Sequence, residues 1–123
     1  MNVLVSCLEG PALRWAVAKV LGLEVELDFE TTYDIGWRVR IKGETQYFQP
    51  DYNWVQTGSL LQEHFDDILQ EARGMYGREW DYAAVKNKNL QVQLMRALVS
   101  YLNSHWVIDV PDELGNEAWI PEA

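Results

Sequence analysis

The sequence predicts an α+β domain, an antiparallel sheet with about three helices packed on it as a two-layer sandwich. Two adjoining segments alternate apolar and polar residues with period 2, the mark of a half-buried hairpin. Three other segments space their apolar residues at i, i+3, i+4 and i+7, the mark of amphipathic helices. At 123 residues the chain has room for one core and not two. It is read as a single domain over 1–123, with 106–123 as an extended acidic tail.

Residues 2–8 form a short apolar run, read as a strand. Gly10-Pro11 opens a helix near 11–21, because proline's missing N–H is no loss in a first turn. Leu13, Ala16, Val17, Val20 and Leu21 share one face of it, and Gly22 supplies the stop. Leu23, Val25, Leu27 and Phe29 then alternate with Glu24, Glu26 and Asp28, and Ile35, Trp37, Val39 and Ile41 with Gly36, Arg38 and Arg40. The acidic strand, 23–29, lies beside the basic one, 35–41. Cross-strand pairs are expected to help fix the register, each worth a few tenths of a kcal/mol to about one.

Lys42-Gly43 signals a second turn, and 44–48 reads as a third strand that Pro50 ends. Residues 49–58 read as an aromatic loop. Ser59 and Gln62 have capping-box spacing, which starts the second helix at 59 and runs it to 73. Its apolar stripe is Leu61, Phe65, Ile68, Leu69 and Ala72. Residues 80–85 read as a further strand and 86–89 as a polar break. Leu90, Leu94, Ala97, Leu98, Tyr101 and Leu102 mark a third helix over 89–104.

Acidic residues outnumber basic ones 19 to 10, a net charge of −9, which argues against direct nucleic-acid binding. Cys7 is the single cysteine, so an internal disulfide and any multi-cysteine metal site are excluded. The apolar start reaches Glu9 without a basic segment, and no stretch approaches the roughly 20 apolar residues a membrane span needs. The expectation is a soluble, cytoplasmic protein with no membrane partner.

The titratable residues point to no reaction. His64 and His105 have no zinc-ligand spacing, and each reads as structural: His64 near the edge of an apolar stripe, His105 just past a helix end. Asp66 and Asp67 are adjacent on a helix and so face different directions. No phosphate-binding loop, dinucleotide fingerprint, nucleophile elbow or zinc-protease motif is present. Cys7 reads as a small hydrophobe. No catalytic residue, metal ligand or cofactor is assigned.

The aromatic residues stand out. Four of the chain's 15 rings, Tyr47, Phe48, Tyr52 and Trp54, crowd into residues 47–54. Trp and Tyr supply large contact area at low entropic cost, so such a loop serves either to close the core or to recognise a partner. Trp106 and Trp119 face the same choice in a tail with five acidic and no basic residues from Asp109 to Glu122. The candidate partner-binding residues are Tyr47, Pro50, Tyr52, Asn53, Trp54, Gln56, Trp106, Asp112 and Glu113.

Separated stretches resemble one family. Leu13-Arg14-Trp15-Ala16-Val17-Ala18, the segment from Tyr47 to Gly58, Leu94-Met95-Arg96-Ala97-Leu98-Val99 and Val110-Pro111-Asp112-Glu113-Leu114 are similar, in order, to motifs of the NinX-like proteins of tailed phages. Thr57-Gly58-Ser59 stands where that family has a Gly-Gly-Pro turn, and Asn89-Leu90 where it has Thr-Pro. The resemblance implies a phage or prophage accessory protein and carries no catalytic residues. It directs attention to Trp15, Tyr47, Pro50, Trp54, Gly58, Arg96, Pro111 and Asp112 as surface positions.

The leading expectation is a non-enzymatic module that binds a host or phage protein through the aromatic loop and acidic tail, with a homodimer left open. It requires an exposed apolar patch of a few hundred Å² around Tyr52 and Trp54. A narrower alternative is an acidic decoy that inhibits a host nucleic-acid-handling or defence system. A third is a small-ligand binder with an aromatic-lined pocket.

Overall fold

A computed structural model describes residues 1–32, 35–77, 90–115 and the backbone of 119–120. The strand expected at 80–85, the break at 86–89 and the side chain of Trp119 lie outside the described residues. The fold is α+β, with three helices and two small antiparallel sheets. Strand β1 (Asn2–Leu4) leads into a 3₁₀ turn, Val5–Cys7, and helix α1 (Gly10–Val20). A hairpin comes next, β2 (Val25–Glu30) and β3 (Gly36–Ile41), then α2 (Trp54–Tyr76) and α3 (Leu90–Asn103). Strand β4 (Val107–Asp109), a 3₁₀ turn at Asp112–Leu114 and β5 (Trp119–Ile120) complete the order.

The expected single sheet is divided into two. Among the described residues the hairpin is a two-stranded sheet of its own, while β1 sits between β4 and β5, antiparallel to both. The tail is thus drawn into pairing with the start of the chain, Val3 opposite Ile108 and Leu4 opposite Val107. The third strand expected at 44–48 does not form. The chain crosses the outer edge of β3 at one bridge, Arg40 to Tyr47, with Phe48 N–H donating to Val39 O at 2.7 Å. Phe48 turns into the core there, and Glu44, Thr45 and Gln46 before it are exposed, so no alternating face holds the segment along the sheet.

Helix α1 ends as its sequence specifies. Gly22 takes φ +74°, and its N–H and that of Leu23 close back onto Lys19 O and Ala18 O, both at 3.0 Å. In the hairpin, Glu26 faces Arg40 and Asp28 faces Arg38. Arg40 reaches both Glu26 (2.7 Å) and Asp28 (3.2 Å), and Lys42 reaches Glu24 at 3.4 Å. The core gathers under α1 and α3, where Leu13, Val17, Met95 and Leu98 are sealed together with Val3, Leu8, Val39 and Ile68. Ala12, Ala16 and Ala97 lie fully buried in the same core, where their small side chains leave room for close packing. Arg96 Nε ties α3 to the first turn by donating to Leu8 O at 2.6 Å.

The second helix starts at Trp54 rather than Ser59. Asn53 is its cap, its Oδ1 accepting from the N–H groups of Val55 (3.1 Å) and Gln56 (3.3 Å). Ser59 instead donates its hydroxyl back to Val55 O at 3.0 Å, a bond it makes only inside a helix. Helix α2 is kinked at His64 (φ −133°, ψ 29°). The kink changes the phase of its stripe: Ile68 and Ala72 stay buried, while Phe65, expected among them, is 51% exposed.

The Met1 ammonium is held by Asp112 Oδ1 (2.8 Å), Asp109 Oδ1 (3.0 Å) and Val110 O (2.7 Å). The hydrogen bonds it donates to Asp112 and then to Asp109 raise its pKa above the ordinary 8.0. A raised amine pKa adds stability that is complete below the unfolded value and is lost as pH rises through the folded one. Asp112→Asn should therefore lower stability near neutral pH. The gap to the parent should close as pH climbs above about 8, measured by chemical denaturation across that range.

Candidate functional site

The aromatic segment is a rigid turn fixed to α1 by a buried ion pair. Arg14 meets Asp51 through two parallel bonds, Nε to Oδ1 at 2.8 Å and Nη2 to Oδ2 at 3.1 Å. Both side chains are nearly sealed from solvent, 12% and 7% exposed. Such a planar, bidentate match is directional as well as strong. The same guanidinium lies 5.2 Å from the ring centre of Tyr52, so one arginine sets both the depth of Asp51 and the attitude of the next ring.

Two further side chains close the turn. Thr57, fully buried, shares its one Oγ1–H between the carbonyl oxygens of Pro50 (2.5 Å) and Asn53 (2.9 Å) and accepts from Gln91 Nε2 of α3 (3.1 Å). Gln56 spans the mouth, accepting from Gln49 N–H at 2.6 Å and donating to Tyr47 O at 3.0 Å. The backbone from 47 to 57 is therefore held at both ends and in the middle.

Within this turn the rings divide. Phe48 and Pro50 face inward, as does Asp51. Tyr52 and Trp54 are 54% and 59% exposed, Tyr47 is at the margin of exposure, and Val55 beside Trp54 is 80% exposed. The segment thus does both jobs, one ring closing the core and three turned out. Asn53 and Gln56 are half-buried and spend their polar atoms on the turn itself. Among the described residues, a groove of about 340 Å³ beside the turn is lined by one aromatic, Phe48, with Leu23, Ile41, Glu44, Gln46 and Gln56 around it.

The other candidates belong to the β1–β4 end. Trp106 is 84% exposed just before β4, and Glu113 is exposed. Asp112 is exposed but engaged by the Met1 ammonium. Trp15 and Pro111 are half-buried, Gly58 lies inside α2, and Arg96 makes the structural bond to Leu8 O. His64 packs its ring on Tyr101, with centroids 5.8 Å apart, and lies 4.0 Å from Glu63, while His105 is exposed. Cys7 is half-buried. Among the described residues no three His, Cys, Asp or Glu side chains come together as a metal site. No described helix is long and apolar enough to cross a membrane.

Comparison with known proteins adds no relative. No protein-family model, curated protein or solved structure matches this chain. Sequence reasoning named the outward rings but missed what orients them. Arg14 and Asp51 are 37 positions apart, and only an unpaired acid among aromatics hinted at a partner. Val55 was missed because the sequence reading left it in a loop, whereas it lies in the first turn of the helix that Asn53 caps.

Asp51→Ala should strand the Arg14 guanidinium in a nearly dry site and cost about 3 kcal/mol or more in denaturant unfolding. Asn53→Ala should cost about 1 kcal/mol through the lost cap, with the fold intact.

Proposed function

We propose that this chain is a non-enzymatic protein-binding module whose docking face is Tyr47, Tyr52, Trp54 and Val55. The observation that carries this reading is the outward setting of three rings on a turn whose backbone is fixed by Arg14–Asp51, Thr57 and Gln56. A rigid aromatic surface loses little entropy on docking, which is how a few residues come to dominate an interface. The setting proposed for this activity is that of a phage or prophage accessory protein acting in the host cytoplasm on a host or phage factor. That setting rests on the motif resemblance to the NinX-like proteins.

The narrower reading, an acidic decoy, has support in α2. From Trp54 to Ala72 it carries Glu63, Asp66, Asp67 and Glu71 and no Lys or Arg. A partner that meets the rings would meet these acids on the same helix. The two readings separate by salt: an interface led by the rings should survive about 0.5 M salt, and one led by the carboxylates should not.

Crosslinking in cells that contain the natural partner should capture one protein on Trp54-side surfaces. Trp54→Ala and Tyr52→Ala should each weaken that capture by about tenfold or more while leaving thermal unfolding within a few degrees of the parent. Unchanged capture by both variants would remove the docking face.

A further inference from the structure

We infer a second docking site, the edge of β2 that faces away from β3, and assign it an extended partner segment in which apolar residues alternate with Lys or Arg. The ladder fixes which backbone groups are available. Lys42 N–H donates to Glu24 O at 2.9 Å, and Glu26 faces Arg40 in the same series, so the even residues of β2 bond to β3. The N–H and C=O groups of Val25, Leu27 and Phe29 then point away from β3. Among the described residues no strand pairs with that side.

The edge borders a groove of about 540 Å³ in which Trp15, Leu23 and Val25 meet Glu24, Glu26, Lys19 and Lys42. The groove takes residues from both faces of the strand, so an added strand would meet apolar side chains and carboxylates there together. At the far end Phe29 is 51% exposed and packs edge-on to Trp37 at 5.2 Å, extending the apolar face along the strand. Adding a strand to a bare edge supplies main-chain bonds for affinity and alternate side-chain positions for specificity.

Charge decides the occupant. The polar face of β2 reads Glu26, Asp28 and Glu30, with Glu24 just before the strand continuing it, and no base among them. A second copy of β2 paired antiparallel with its apolar face continuous would set acids opposite acids, which is destabilising. A strand with Arg or Lys at alternate positions meets them instead. The hairpin already contains such a complement: β3 reads Trp37-Arg38-Val39-Arg40-Ile41, and its Arg40 serves both Glu26 and Asp28. Those carboxylate side chains remain 44% and 42% exposed and Glu24 is 78% exposed, so each is open to a second cation from the free side.

The test is titration of the full chain with a capped synthetic peptide, Val-Arg-Val-Arg-Ile-Lys-Val, monitored by calorimetry. Saturable binding is expected, weakened about tenfold or more by Leu27→Pro, since proline removes an N–H that faces away from β3 and leaves the hairpin ladder whole. Trp54→Ala should leave it unchanged, which separates this site from the aromatic turn. Should Leu27→Pro fail to fold, peptides N-methylated on alternate amides give the same information: one set should lose binding and the other keep it. The same peptide with Glu at its basic positions should not bind. Absence of saturable binding, equal binding of the acidic peptide, or indifference to both methylation patterns would overturn the proposal. So would a dimer of the parent that Leu27→Pro dissolves, which would make the occupant a second copy.

Discussion

The buried pair between Arg14 and Asp51 is the constraint on which the exposed surface depends. Asp51 sits in a nearly dry site, where an ionised carboxylate is tolerable only with a matched cation. Arg14 provides that match in two bonds from a helix that is itself part of the core. Once Asp51 is drawn down, its neighbours have no freedom: Pro50 goes in with it, Tyr52 is left over the guanidinium, and Asn53 is positioned to start α2. The outward rings are a consequence of an inward charge.

The second organising fact is closure of the chain on its own beginning. Strand β1 is only three residues long and would not stand alone. It is central because β4 and β5 arrive from the far end of the sequence to flank it. Asp109 and Asp112, which by composition belong to an acidic tail, spend part of their charge on the Met1 ammonium. Acidic excess and structural role therefore coincide there, and the carboxylates left without a basic neighbour in sequence concentrate on α2.

The hairpin shows a different balance. Its cross-strand acid–base pairing was legible from the alternation of Glu24, Glu26 and Asp28 against Arg38 and Arg40, and Arg40 takes both Glu26 opposite it and Asp28 on the diagonal. What the alternation does not contain is the hairpin's neighbours. A third strand at 44–48 had the right length but lacked an alternating face, and the pull of Phe48 into the core outweighed the few backbone bonds a strand would have added. Two edges were left different as a result: β3 is bridged at Tyr47, and β2 has no strand against its far side among the described residues.

Local chemistry determined the α+β class, the three helices and the hairpin, because each is set by spacing within about a dozen residues and by residues such as Gly22 that act on their immediate neighbours. The rings of the 47–54 segment were equally visible as a concentration of contact area. Which of them turned outward was settled by tertiary structure alone. That outcome required Arg14 to meet Asp51 and Gln91 to meet Thr57, across 37 and 34 positions. The start of α2 went to Asn53 over Ser59 for the same reason. Both residues can cap, and only the packed turn around Thr57 favours the earlier one. Likewise β1 finds its partners more than 100 residues away. Pairings of that range leave no periodic trace, since they depend on where folded surfaces meet and not on the local order of residues along the chain.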